Sequence, residues 1–169
     1  MQISRRGEDT DRIVDLKIED LFKDVLNIYR EKFALAGIEL EIAELPDVSV
    51  RTKQVLISQV LLNLMNNAFD QITQNESSRN YLRIFFSRSD KKITICLENS
   101  GPKISDSVQE KIFQPFFTTK EVGKGTGLGL SICKGIIESL KERIWLDKDA
   151  SKTTFCFTLP IVESASQAQ

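Results

Sequence analysis

The chain has 169 residues, 41% apolar and 28% charged, which is enough to bury one sizeable core and matches a single compact domain. Lys and Arg number 23 against 24 Asp and Glu, so the formal charge of -1 excludes the broad basic field needed to hold a nucleic-acid backbone or an anionic membrane. Histidine is absent, which removes Ser-His and Cys-His mechanisms, histidine metal sites and any phosphohistidine carried by this chain itself.

In chain order, residues 1–15 are charge-rich and read as the trailing end of a helix or a linker. From Ile18, the residues Leu21, Phe22, Val25, Leu26, Tyr29 and Phe33 recur at helical spacing, and Gly37 suits the helix end. Ile38, Leu40 and Ile42 alternate with polar neighbours as a half-buried strand, and Pro46 with Asp47 turns the chain. A second helix is predicted from about Thr52 to Ile72, and a polar loop covers 73–80. YLRIFFS and KKITICLE then read as a strand hairpin. Val108 to Phe113 fits a short helix stopped before Pro115, and the glycine-rich stretch that follows is predicted to be a mobile loop. Leu128 to Leu140 is a third long helix, IWLD and TTFCFTLP are strands, and 162–169 reads as a disordered tail. This order predicts an α/β (α+β) two-layer sandwich over 16–161, a mixed sheet covered on one face by helices.

Cys96, Cys133 and Cys156 lie far apart inside apolar stretches and read as reduced core thiols of a cytosolic protein. No apolar run reaches the roughly 20 residues that span a bilayer, and the start of the chain carries no hydrophobic signal region. A soluble domain is expected, although its parent chain can be membrane-anchored.

The chemistry concentrates in three segments. In QVLLNLMNNAFD, the residues Gln59, Asn63 and Asn67 are spaced by four, so they share a helix face, with Asp70 one turn on. Asn is a poor helix former, by roughly 0.5–0.7 kcal/mol against Ala, and an amide oxygen is a hard neutral ligand that can complete a Mg²⁺ shell of water and phosphate oxygens. A solvated polar face explains the stripe equally well. In GKGTGLGL, the glycines 123, 125, 127 and 129 immediately precede a helix, where free N–H groups and the helix dipole suit a polyphosphate. The spacing fits neither a P-loop nor GxGxxG, and a flexible linker would not run directly into a periodic helix. Lys120 and Lys124 beside this loop either offset phosphate charge or stand solvated. The third segment, ENSGPKI, follows a strand, and on local grounds it reads as an edge turn with a self-bonding Asn99.

Taken in order, these segments resemble the ATP-binding catalytic domain of sensor histidine kinases, whose superfamily also holds gyrase B, MutL, heat-shock chaperone ATPases and anti-sigma-factor kinases. QVLLNLMNNA is similar to the asparagine box, ENSGP to the first glycine box, IFQPFFTTK to the phenylalanine box and GKGTGLGLSI to the second glycine box. The resemblance covers about Ile18 to Pro160 and implies a Bergerat-type fold with nucleotide held under a glycine-rich lid. It makes Asn67 the Mg²⁺ ligand, places Asn63 near the phosphates with Lys120 as a second catalytic group, and puts Asn99 where an Asp usually reads adenine. It also implies that Gly101 and Ile104 lie near the base, that Phe113 and Phe116 anchor the lid, and that Thr154 sits near the adenine. Lys124, Gly125, Thr126, Gly127, Leu128, Gly129 and Leu130 would surround the phosphates. Three positions depart from the pattern: Asn99 for Asp, Lys103 for a second glycine, and Asp70 where many relatives carry a basic residue.

The function implied is transfer of the ATP γ-phosphoryl group, with Mg²⁺, to a histidine on a separate dimerisation and phosphoacceptor domain, and from there to a response regulator. Nucleic acid and membrane are not expected as partners of this domain, which is placed in the cytoplasm. The alternatives are an anti-sigma-factor-type serine protein kinase and a degenerate nucleotide-binding scaffold. A hydrolase of the gyrase or MutL type fits least, because Asn63 stands where those enzymes place a Glu base.

Overall fold

The computed structural model describes residues 12–74, 79–121 and 125–162. Within them a seven-stranded mixed sheet carries the helices on one face, as the sequence predicts. Strand β1 (Val14–Lys17) runs directly into helix α1 (Ile18–Leu35). The buried stripe of α1 is the predicted one, Ile18, Leu21, Phe22, Val25, Leu26, Tyr29 and Phe33. Gly37 leaves the helix at φ +68, a conformation open to glycine without steric cost.

Strands β2 (Glu39–Ile42) and β3 (Ser49–Thr52) follow, then helix α2 (Gln54–Thr73), the hairpin β4 (Tyr81–Arg88) and β5 (Lys92–Asn99), and the short α3 (Asp106–Gln109). Helix α4 (Gly129–Ser139) and strands β6 (Ile144–Leu146) and β7 (Thr153–Val162) complete the chain order. The sheet order is β1-β3-β7-β5-β4-β2, with β6 paired to β7. β2 runs parallel to β4, and the remaining pairs are antiparallel.

Side-chain alternation divides the sheet into two chemically distinct faces. Leu82, Ile84, Ile93, Ile95, Leu97, Phe155, Phe157 and Leu159 join the helix residues in one buried core. On the alternate positions, Arg83 pairs with Glu41 at 2.8 Å and with Glu98 at 3.1 Å. The register that sets Asn99 opposite Thr153 puts those two residues on the helix side of the sheet, in line with Leu97 and Phe155.

Four sequence expectations change. Val14 and Asp15 belong to β1, which pairs antiparallel with β3; the rest of 1–15 falls outside the described residues, except Arg12 and Ile13. Both of these four-residue strands are too short to show a period, and their pairing is made by the tertiary fold. Val162 closes β7, and the remainder of the expected tail also lies outside the described residues. The short helix occupies Asp106–Gln109 rather than Val108 to Phe113, because beyond it the backbone closes i to i+3 turns, Lys111 N to Val108 O and Gln114 N to Lys111 O, each within 2.9 Å.

The cysteine reading is corrected. Cys96 and Cys156 are direct cross-strand partners of β5 and β7 and form a disulfide, on the sheet face opposite the helices; Cys133 alone is free and buried. Sequence spacing could not reveal this, because residues 60 apart became neighbours through strand register.

Candidate functional site

Helix α2 supplies one wall of a cavity of about 510 Å³. Its apolar residues Leu61, Leu64, Met65, Ala68 and Ile72 face the core, which turns Asn63, Asn66, Asn67, Asp70 and Gln71 toward the cavity. The polar stripe therefore lines a concave site rather than bulk solvent. The opposite walls come from the turn after β5, through Pro102, Lys103 and Ile104, from the Phe117–Lys120 segment, and from Gly125, Thr126, Gly127, Gly129 and Leu130 at the start of α4. Phe155 of β7 closes the floor.

At one end, Asn63 Nδ2 donates to Gly129 O at 3.3 Å, tying α2 to the first residue of α4. Among the described residues no side chain caps the start of α4, so the N–H groups of its first turn are suited to meet an anionic ligand. Lys120 crosses the cavity to donate its Nζ to Asp70 Oδ2. Two expected positions, Gly123 and Lys124, and with them the core of the predicted mobile loop, lie outside the described residues.

Gly127 has φ +66, and a Cβ there would meet the Phe116 carbonyl carbon at 2.5 Å. Phe116 itself has φ 64 and is 76% exposed, so its backbone and not its ring packs against the glycine segment. Phe117 lines the cavity, whereas Phe116, expected with Phe113 to anchor the lid, does not. Phe113 packs edge-on against Phe155 with centroids 6.1 Å apart. Leu128 precedes α4 as its N-cap residue and does not line the cavity.

At the other end, Asn99 is 2% exposed and sits behind the cavity wall. Its Oδ1 accepts from Gly101 N–H at 2.9 Å, the self-bonding turn expected from ENSGPKI, and its Nδ2 donates to Gln71 Oε1 at 2.9 Å. Gly101 is required by closeness: an added Cβ would lie 2.7 Å from Asn99 Oδ1 and 3.2 Å from Gln71 Cβ. Lys103 lines the cavity while its Nζ donates to Lys148 O at 2.9 Å, so its side chain reaches across to the loop before β7. Thr154 points away from the cavity, since it alternates with Phe155 and bonds Lys152 O at 3.1 Å. Thr153, opposite Asn99, is the threonine at this end; its Oγ1 donates to Pro102 O at 2.9 Å. Strand alternation counted back from Phe155 was the signal that distinguishes the two.

Two buried groups stand behind the asparagine face. Burial pushes the Cys133 thiol up to about 11, a rise eased by a hydrogen bond with Asn63. Tyr29 is pushed up to about 12 by burial and by the charge of Asp70, and its Oη donates to Leu62 O at 3.2 Å.

Among the described residues no cluster of His, Cys, Asp and Glu could cage a metal. A divalent cation at this site would take most of its shell from phosphate and water oxygens and its protein ligand from an amide. Asn67 fits that role, because it faces the cavity with its side-chain amide not engaged by another described residue.

Residues 52–163 match the family described as histidine kinase-, DNA gyrase B- and HSP90-like ATPase. The adaptive-response sensory kinase SasA of Synechocystis sp. is 34% identical over 152 residues, which is 86% of this chain and 38% of SasA. The catalytic domain of histidine kinase ThkA superposes with a TM-score of 0.75 at 32% identity, covering 88% of this chain and 97% of that domain. A crystal structure of ThkA in complex with the response regulator protein TrrA matches at 29% identity and TM-score 0.74, covering 89% of this chain and 42% of ThkA. The chain thus spans about two fifths of the sensory kinase SasA.

Proposed function

Because the chain belongs to the histidine kinase-, DNA gyrase B- and HSP90-like ATPase family, we propose that it is the ATP-binding catalytic domain of a two-component sensor kinase, acting in the cytoplasm on a histidine of a separate dimerisation and phosphoacceptor domain. The observation that carries this reading is the single cavity wall on which Asn63, Asn67 and Asp70 face the glycine segment at the start of α4. That arrangement supports a polyphosphate lying along α2, its terminal groups toward α4.

Phosphoryl transfer asks a protein mainly for positioning and charge neutralisation. Gly125, Gly127 and Gly129 let the backbone approach phosphate oxygens, and the α4 N-terminus offers its N–H groups. Mg²⁺, when bound, neutralises charge on the phosphate oxygens, and Asn67 would hold it. Lys120 moves its ammonium group from Asp70 to the γ-phosphate, and Asn63 fixes the neighbouring backbone through Gly129. The acceptor imidazole nitrogen forms a P–N bond as the bond from the γ-phosphorus to its bridging oxygen breaks, and ADP leaves. Having no histidine, this chain needs that acceptor from elsewhere. The ThkA–TrrA complex supports a response regulator as the next partner.

Calorimetry of this chain with Mg-ATP and Mg-ADP, with Mg-GTP as the control, tests the nucleotide half of the reading; micromolar to sub-millimolar adenine-selective binding is expected, and no binding at millimolar nucleotide sinks it. Labelled phosphate appearing on the parent's phosphoacceptor domain only when this chain and γ-labelled ATP are both present tests the transfer half.

A further inference from the structure

We propose that Gln71, not Asn99, is the residue that reads the adenine edge, and that Asn99 acts behind it as a positioning residue. The inference deepens the nucleotide reading above and rests on it. Asn99 is buried and off the cavity surface, whereas Gln71 lines it.

The orientation of the two amides follows from one fixed donor. Gly101 N–H is a backbone donor, so the group of Asn99 that meets it at 2.9 Å is the oxygen. Asn99 then presents its NH₂ to Gln71, and the Gln71 atom that meets it at 2.9 Å is in turn the oxygen. Neither amide can flip without setting donor against donor or acceptor against acceptor. Gln71 Oε1 keeps a second lone pair, and both Nε2 hydrogens remain for the cavity. An amide with acceptor and donor side by side matches adenine, whose 6-amino group donates beside a ring nitrogen that accepts. Guanine offers O6 in place of that amine and would set an acceptor against Oε1. The relay thus supplies through a neutral amide the selectivity that a carboxylate at position 99 would have supplied by charge.

The test measures binding of three diphosphates with Mg²⁺: ADP, GDP, and purine riboside 5′-diphosphate, which is ADP without its 6-amino group. The wild-type chain is expected to bind ADP about tenfold or more tightly than either of the others, in line with the discrimination of a bidentate amide contact. Gln71→Met, close in size but lacking the amide, is expected to bind all three with nearly the same constant, with melting temperature as the check on folding; Gln71→Ala takes its place if the methionine variant does not fold. A variant that keeps the wild-type ratio overturns the proposal, as does a wild-type chain insensitive to the 6-amino group. Absence of any ADP binding by the wild type overturns the nucleotide reading itself, which separates the two failures.

Discussion

The backbones of Gly127 and Phe116 pack against each other so closely that a single methyl group does not fit: a Cβ on Gly127 would lie 2.5 Å from the Phe116 carbonyl carbon. Both residues have positive φ. Gly127→Ala therefore meets a left-handed conformation that costs an alanine roughly 1–2 kcal/mol, and a collision with backbone that cannot rotate away. The expected result is about tenfold weaker Mg-ATP binding with an unaltered far-ultraviolet spectrum. Wild-type affinity in this variant would mean that the glycine segment takes another path when nucleotide binds.

Lys120 is held by Asp70 across the cavity. Asp70→Asn weakens that hold, so the ammonium group transfers to the γ-phosphate at lower cost. An ion pair this accessible is worth about 0.2–1 kcal/mol, hence ATP affinity should rise by a factor between about 1.4 and 5 while AMP affinity stays constant. Lys120→Ala should weaken ATP more than AMP. Equal effects on both nucleotides would show that Lys120 does not meet the terminal phosphate.

Asn67→Ala replaces a poor helix former in α2 with the best one, a gain of about 0.5 kcal/mol offset by little packing. The fold should persist while the Mg²⁺-dependent part of ADP affinity disappears. Titration in magnesium and again in EDTA separates the two contributions; a variant that retains the full difference between them would assign the cation to another ligand.

Alkaline pH should destabilise the domain. Cys133 rises from an ordinary 9.0 to about 11 and Tyr29 from 10.0 to about 12 on folding. Between those values the unfolded chain has lost protons that the folded chain retains, so stability is complete below pH 9 and falls as pH climbs from about 9 to 12. The Cys133 share is on the order of 3 kcal/mol at the top of the range. Urea midpoints across this window measure the slope, and Cys133→Ser should flatten its lower part. For the same reason the Cys133 thiol should resist alkylation at neutral pH until the chain unfolds.

Much of this was legible in the chain. The stripe of α1, the asparagine face of α2 and the glycine spacing before α4 are periodic signals, and periodicity survives folding because it is what buries one face. The self-bonding turn at Asn99 was local enough to read from ENSGPKI. What escaped depended on register. Strands β1 and β3 gain their partners from each other and from β7, the Cys96–Cys156 bond exists only because β5 and β7 align at those positions, and the choice of Thr153 over Thr154 depends on which face of β7 meets the helices. Phe116 and Phe117 were separated by a backbone turn at positive φ that no side-chain pattern announces. The Gln71 contact was out of reach because it joins residues 28 apart on different elements.

One rigid element carries Asn63, Asn67, Asp70 and Gln71, and this makes α2 a ruler. Asn63 and Gln71 stand two helical turns apart, about 12 Å along the axis, a distance fixed by backbone hydrogen bonds and insensitive to where the neighbouring loops lie. On the nucleotide reading proposed above, a ligand is gauged at both ends of this scale at once. Removing a phosphate leaves the Asn63 end unread, and changing the base leaves the Gln71 end unread, so length and identity are checked by separate marks on a single rod.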